Sequence, residues 1–124
     1  MRHTRLLVPV LALVVLVSAA CGPTPAPAPA PAPSPEVAQS IDAAFGPFGP
    51  NVVAQATRVA RCESGWVPTA GAGSYYQGLF QLGTHIQAIA VYGGDYLDPY
   101  QNAMAARDLY VSRGNNWSAW ACRP

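Results

Sequence analysis

The chain has 124 residues, room for one ordinary domain, and is 51% hydrophobic but only 10% charged, with a formal net charge of +1. Its fixed cations are all Arg and are scattered, which excludes the clustered basic surface that nucleic-acid binding requires. Most of its 13 Pro lie between Pro23 and Pro35, and every aromatic residue follows Ala44, so the averages blend unlike segments.

The first segment, residues 1–20, has the layout of an export signal. Met1 to Arg5 is basic, Leu6 to Val17 is apolar, and Ser18-Ala19-Ala20 are small. The apolar run falls short of the ~20 residues of a spanning helix. Cys21 follows directly, which points to a lipoprotein signal with Cys21 as the acylated N-terminus. Ser18 stands where such signals usually carry Leu, and an ordinary cleavage after Ala20 fits as well. Either way the product is exported, to the cell envelope or beyond it. Any membrane contact is expected only through a lipid on Cys21.

Residues 21–35 form a linker, in which Pro23 to Pro35 alternates Pro with Ala, Thr or Ser. Half of them lack an N–H and there is no apolar face, so this segment cannot join a core. It reads as a stiff polyproline-type spacer of roughly 40 Å, at ~3.1 Å per residue.

Residues 36–124 are the folding part. A domain this small buries only about 60–65% of its chain surface and gains from a staple. With Cys21 set apart, Cys62 and Cys122 remain, and export favours their pairing over two free thiols. Closing that loop is worth roughly 4 kcal/mol in the chain-entropy picture.

Helical spacing of Val37, Ile41, Ala44 and Phe45 predicts a short helix over Pro35–Phe45, broken by Gly46-Pro47 and Gly49-Pro50. A second helix starts at Pro50, runs to Glu63 and stops at Gly65. Val67 to Gly73 is a loop, and Ser74 to Leu82 suits a small hairpin. Thr84 to Tyr92 reads as a third helix, with Thr84 as cap and Ile86, Ile89 and Ala90 inward. Asp98-Pro99-Tyr100-Gln101 is a strong helix start with the composition of a capping box, and Gly114 ends that helix. The tail from Asn115 carries Trp117, Trp120 and Cys122. The expected class is mainly α, a compact helical domain with a small β-hairpin and one disulfide.

The folding part has two Glu. Glu36 sits in a first helical turn, where a carboxylate favours the dipole. Glu63 continues the apolar register of Val52, Ala56 and Val59, four residues after Val59, in the last turn of its helix. Partial desolvation and the negative helix end both disfavour ionisation there. A carboxylic acid that keeps its proton near neutral pH is what protonation of a glycosidic oxygen requires. Fraying into solvent, or pairing with a distant Arg, is the competing fate.

Cys62-Glu63-Ser64-Gly65, then Gly78-Leu79-Phe80-Gln81, then Asp98-Pro99 with Asn102, Ala106, Leu109 and Tyr110, resemble the goose-type lysozyme and soluble lytic transglycosylase superfamily. Cys62 to Gly65, Tyr75-Tyr76 and the Trp120-to-Cys122 tail also resemble the resuscitation-promoting factor domain, a smaller branch of the same lysozyme-like α+β fold. The resemblance covers about residues 51–124. It implies a secreted peptidoglycan hydrolase acting on the β-1,4 bond between N-acetylmuramic acid and N-acetylglucosamine. By resemblance Glu63 is the catalytic acid and Ser64 the hydroxyl beside it. Gln81 contacts substrate, Gly78, Leu79 and Phe80 line the cleft, and Asn102 is the helix Asn near the site. The family's later Tyr, which orients the acid, has no counterpart here.

A transglycosylase needs no second carboxylate, whereas a lysozyme often uses one. The candidates are Asp98, most simply a helix cap, and Asp95, most simply a solvated turn residue, so the chain leans toward the transglycosylase. A hydrolytic muramidase and a non-catalytic wall-binding lipoprotein remain the alternatives. Sugar faces stack on aromatic rings, and Tyr76 and Trp117 are the cleft candidates among Trp66, Tyr75, Tyr76, Trp117 and Trp120. Tyr96, Tyr100 and Tyr110 read as core or helix-face packing, and His85 as a surface residue at a helix start. No cofactor or metal is expected, the partners are glycan strands, and the protein is expected to be a monomer.

Overall fold

A computed structural model describes residues 22–124; the segment expected to be an export signal and the expected lipidation position Cys21 lie outside the described residues. The chain divides into two units, Met1–Ala30 and Pro31–Pro124. The described part of the first, from Gly22 on, forms no helix or strand and is exposed throughout.

The second unit is mainly helical. Helix α1 spans Pro35–Phe45, and Ser34 caps it by accepting the Val37 N–H at 3.3 Å. The helix has the bounds expected of it, with Ser34 as its cap. One face of α1 buries Val37, Ser40, Ile41, Ala44 and Phe45, the spacing the sequence carries. After a 3-10 turn at Gly46–Phe48, helix α2 spans Pro50–Ser64. Gly65 ends it in the left-handed region, φ 63°, and returns its N–H to Arg61 O.

Strands β1 (Tyr76–Gln77) and β2 (Leu82–Gly83) pair antiparallel, with Tyr76 opposite Gly83. Helix α3 spans Pro99–Ser112, with the Asp98 carboxylate accepting the Gln101 N–H at 2.8 Å. Gln101 does not complete the reciprocal half of a capping box. Its Oε1 accepts the Asp95 N–H instead, which ties down the preceding loop. Asp95 itself closes a tight turn by accepting the Leu97 N–H.

The segment expected to be a third α-helix is a 3-10 helix, Gln87–Tyr92, and Thr84 caps nothing. With three residues per turn, Ile86, Ile89 and Tyr92 share a face. Ile89 is buried and its two neighbours are half-buried, while Ala90 is rotated out to solvent. Near this face the Tyr92 hydroxyl donates to Asp108 at 2.6 Å and accepts from Arg107, which pairs with Asp108 at 2.8 Å. The Asp108 hydrogen bond, with burial second, holds the Tyr92 hydroxyl above the usual tyrosine range. Burial does the same to Tyr96, whose hydroxyl donates to Ile86 O.

Helix α1 packs on both α2 and α3. The buried face of α3 is Ala103, Ala105 and Ala106, small enough for α1 to approach closely. What fills the centre is aromatic. The Phe45 ring lies 5.6 Å from Phe80, 5.9 Å from Tyr110 and 5.3 Å from Trp117, and Trp117 lies 5.2 Å from Trp120. Tilted and edge-on pairs of this kind add about 0.5–1.5 kcal/mol each beyond the area they bury. Of the three Tyr expected in packing roles, Tyr110 is core and Tyr96 half-buried, but Tyr100 is 47% exposed.

The tail makes no helix and is fixed by its side chains. Trp117 Nε1 donates to Gln55 Oε1 at 2.9 Å and Trp120 Nε1 to Phe80 O at 3.0 Å. The Cys62–Cys122 disulfide, with Cα atoms 5.8 Å apart, fastens the tail to the end of α2.

Candidate functional site

Glu63 is the penultimate residue of α2. The residues that precede it on the same face, Ala56, Val59 and Ala60, are fully buried, while Glu63 is half-buried. The apolar stripe thus runs out of the core exactly one turn before the acid, and Gly65 stops the helix before the chain re-enters it. One Glu63 oxygen, Oε1, accepts the Cys122 N–H at 3.2 Å. The disulfide one residue away holds that amide in place, so it acts on the carboxylate as well as on stability. Oε2 makes no hydrogen bond among the described residues.

That carboxylate opens into a cleft of about 370 Å³ lined by Glu63, Tyr76, Gln81, Ala119, Trp120 and Ala121. Tyr76 stands on β1, 56% exposed, edge-on to Tyr75 at 4.8 Å. Its cross-strand partner is Gly83, whose missing side chain makes room for the His85 and Tyr75 rings. Alternation along the strand turns Gln77 the other way.

Gln81 occupies the turn between the strands in the left-handed region, φ 48°. Its amide nitrogen donates to Ala70 O and Gly78 O, both at 3.0 Å, and these hold the residue there. Both donors are used internally, so only the amide oxygen is left for a ligand.

The rest of the Gly78-Leu79-Phe80-Gln81 motif does not line the cleft as expected. Leu79 and Phe80 are fully buried in the core, and the Phe80 carbonyl holds the indole of Trp120, which does line the cleft. Gly78 is buried too, and a Cβ on it would lie 2.0 Å from Tyr96 O, so this position requires the bare backbone at φ 83°.

Asn102 is a second correction. It is fully buried, its Oδ1 accepts the Phe80 N–H at 2.8 Å, and its Nδ2 donates to Gln77 O and Tyr96 O. No donor remains for a substrate; Asn102 fixes the hairpin to α3. Ser64 has a similar part. Its one hydroxyl proton is shared between Leu79 O at 2.8 Å and Ala60 O at 3.0 Å, joining the end of α2 to the hairpin turn.

Trp117 is a third. It belongs to the aromatic core and does not line the cleft, whereas Trp120, just as buried at 5% exposure, does. The sequence did hold a signal for this: pairing Cys122 with Cys62 brings residue 120, more than 117, beside Glu63. His85 lies in the bend before the 3-10 helix, stacked on Tyr75 at 5.5 Å and hydrogen-bonded to its hydroxyl.

Among the described residues Glu63 is the one carboxylate on the cleft. Asp98 is spent on its cap and Asp95 on its turn. No group of three His, Cys, Asp or Glu among the described residues converges to hold a metal ion. The chain matches no protein-family model, no curated protein and no solved structure.

Proposed function

We propose that this is a lysozyme-like, exported peptidoglycan-cleaving enzyme. It breaks the β-1,4 bond between N-acetylmuramic acid and N-acetylglucosamine as a lytic transglycosylase, with Glu63 as both acid and base. The observation that carries the reading is a single carboxylate, held by a backbone amide at 3.2 Å, facing a cleft with Tyr76 and Trp120 on its walls. The Tyr76 ring, 56% exposed, offers a flat apolar face with a polar edge, the surface that stacks against a sugar, and the buried Trp120 backs the cleft wall.

Glycosidases that use two carboxylates set them about 5–5.5 Å apart for retention and about 6.5–9.5 Å apart for inversion. With one carboxylate the nucleophile must come from elsewhere, and the substrate has its own. Protonated Glu63 gives its proton to the leaving glycosidic oxygen as the C1–O bond breaks and positive charge develops on the muramyl ring. The resulting carboxylate then takes the proton of the muramyl C6 hydroxyl, whose oxygen bonds to C1. The products are a 1,6-anhydro end and a free glycan, and Glu63 is protonated again. In this scheme the Pro-rich spacer and a lipid on Cys21 would hold the domain off a membrane, within reach of the wall.

The test is digestion of purified peptidoglycan by the exported protein and by Glu63→Gln, with products weighed by mass spectrometry. The expected fragments are lighter by one water than reducing ends, and Glu63→Gln lowers their release by at least about 100-fold. Reducing ends instead would make the enzyme a hydrolytic muramidase. Equal release by both proteins would remove Glu63 from the chemistry, and glycan binding with no release by either would make the protein a wall-binding module.

A further inference from the structure

The groove continues past the acid. A second hollow of about 140 Å³ adjoins the first and shares Tyr76, Gln81, Ala119 and Trp120 with it as a common wall. Beyond that wall it is lined by Leu82, His85, Ile86, Leu109 and Arg113. One trough therefore has a carboxylate at one end and a guanidinium at the other, with aromatic rings between.

Arg113 makes no ion pair and no side-chain hydrogen bond among the described residues; the ion pair present there is Arg107–Asp108. Its backbone is anchored at the end of α3, its N–H donating to Leu109 O and Tyr110 O at 3.2 Å each. The helix dipole favours a cation at that end but does not require one facing a hollow. His85 lines the same hollow with its ring plane fixed, stacked on Tyr75 at an interplanar angle of 18°. No acidic side chain lines this hollow. It is the smaller of the two hollows and has room for a small substituent.

We propose that this hollow is a carboxylate-binding subsite, with Arg113 as the recognising group, and that the groove selects glycans bearing an acidic substituent over neutral ones. The inference rests on the glycan reading and narrows it. Arg113 suits the task because its fork of N–H donors matches a carboxylate in two places at once. The carboxylate can belong to the lactyl ether of a muramyl sugar or to a peptide attached to it.

The test uses the full exported chain carrying Glu63→Gln, so that nothing turns over, and isothermal titration calorimetry. The probes are chitotetraose, a muramyl tetrasaccharide with free lactyl acids, and the same tetrasaccharide with its stem peptides. At least one acidic probe should bind about tenfold tighter than chitotetraose, the low end for a hydrogen bond to an ionised group. The tighter of the two acidic probes identifies the source. Arg113→Gln should bring the preference to within about twofold of unity, Arg113→Lys should keep part of it, and raising NaCl from about 50 to about 500 mM should shrink it. A preference that survives Arg113→Gln, or equal binding of all three probes, overturns the subsite and leaves the glycan reading standing. Binding of none overturns both. Acidic preference with no fragment release by the wild-type chain supports the subsite and sinks only the catalysis.

Discussion

Replacing Asn102 by Ala separates a positioning role from a substrate-contacting one. The side chain is fully buried and makes three hydrogen bonds, to Phe80 N–H, Gln77 O and Tyr96 O. Truncation leaves the Phe80 amide sealed beneath a fully buried residue with no acceptor, at a cost of about 1–3 kcal/mol, and loses about 1 kcal/mol for each of the other two bonds. The sum, about 3–5 kcal/mol, is a large share of the ~5–10 kcal/mol a domain this small can have. At about 4–8 °C per kcal/mol, the melting temperature should drop by about 12–40 °C. The assay is thermal unfolding by circular dichroism of the oxidised protein, followed by peptidoglycan turnover well below the midpoint. There the residual folded enzyme should show nearly the wild-type KM. Asn102→Asp keeps an acceptor for the Phe80 amide but gives up both donors, so it should also be strongly destabilised. A midpoint within about 3 °C of wild type together with a raised KM would refute the positioning account and return Asn102 to the substrate.

Tyr76→Ala should do the opposite: raise KM about three- to tenfold, the worth of one ring contact, with little change in the melting midpoint, because the ring is 56% exposed. Opening Cys62–Cys122 by Ser replacement should cost about 4 kcal/mol, read as a urea-midpoint shift. It should also depress turnover under conditions where the chain is still folded, because the Cys122 amide would no longer be held on Glu63. Gly78→Ala should destabilise by more than about 2 kcal/mol in the same assay, since its Cβ would meet Tyr96 O at 2.0 Å in a left-handed backbone. The raised Tyr92 and Tyr96 hydroxyls fix a sign at alkaline pH. Above the unfolded tyrosine range, near about pH 10, the unfolded chain has lost protons that the folded chain keeps. Stability is therefore full below that range and falls as pH rises through the folded values. Urea midpoints at about pH 9 and about pH 11 measure this fall, and Tyr92→Phe should flatten it.

The helices were legible because their signals are local. Pro35, Pro50 and Pro99 each open a helix, Gly65 closes one, and Val37, Ile41, Ala44 and Phe45 mark a face without reference to the rest of the chain. The segment from Gln87 went wrong because apolar residues three apart serve an α-helix and a 3-10 helix equally; only the neighbouring packing decides. Glu63 stood out as a carboxylate in an apolar register, and Tyr76 and Gln81 lie with it on the cleft. Leu79, Phe80, Asn102 and Trp117 were misplaced for one reason. Proximity to a site in space does not say whether a side chain faces it or holds it up, and that depends on partners far along the chain. Asn102 bonds to an amide 22 positions away and Trp120 to a carbonyl 40 positions away, distances at which residue patterns are silent. Arg113 carried no signal at all, because a lone Arg at a helix end looks like any solvated cation.

The peptide at Phe80 is gripped from both sides, its N–H by Asn102 and its carbonyl by the indole of Trp120. Variation therefore has little freedom at the base of the trough, where any change loosens two long-range ties together. It has far more at the brim, where Tyr75, Tyr76, His85 and Arg113 are exposed and make no hydrogen bond from their side chains to the core. If the trough holds glycan as proposed, those four positions are the ones to randomise in redirecting it to a different polymer, with the base left alone.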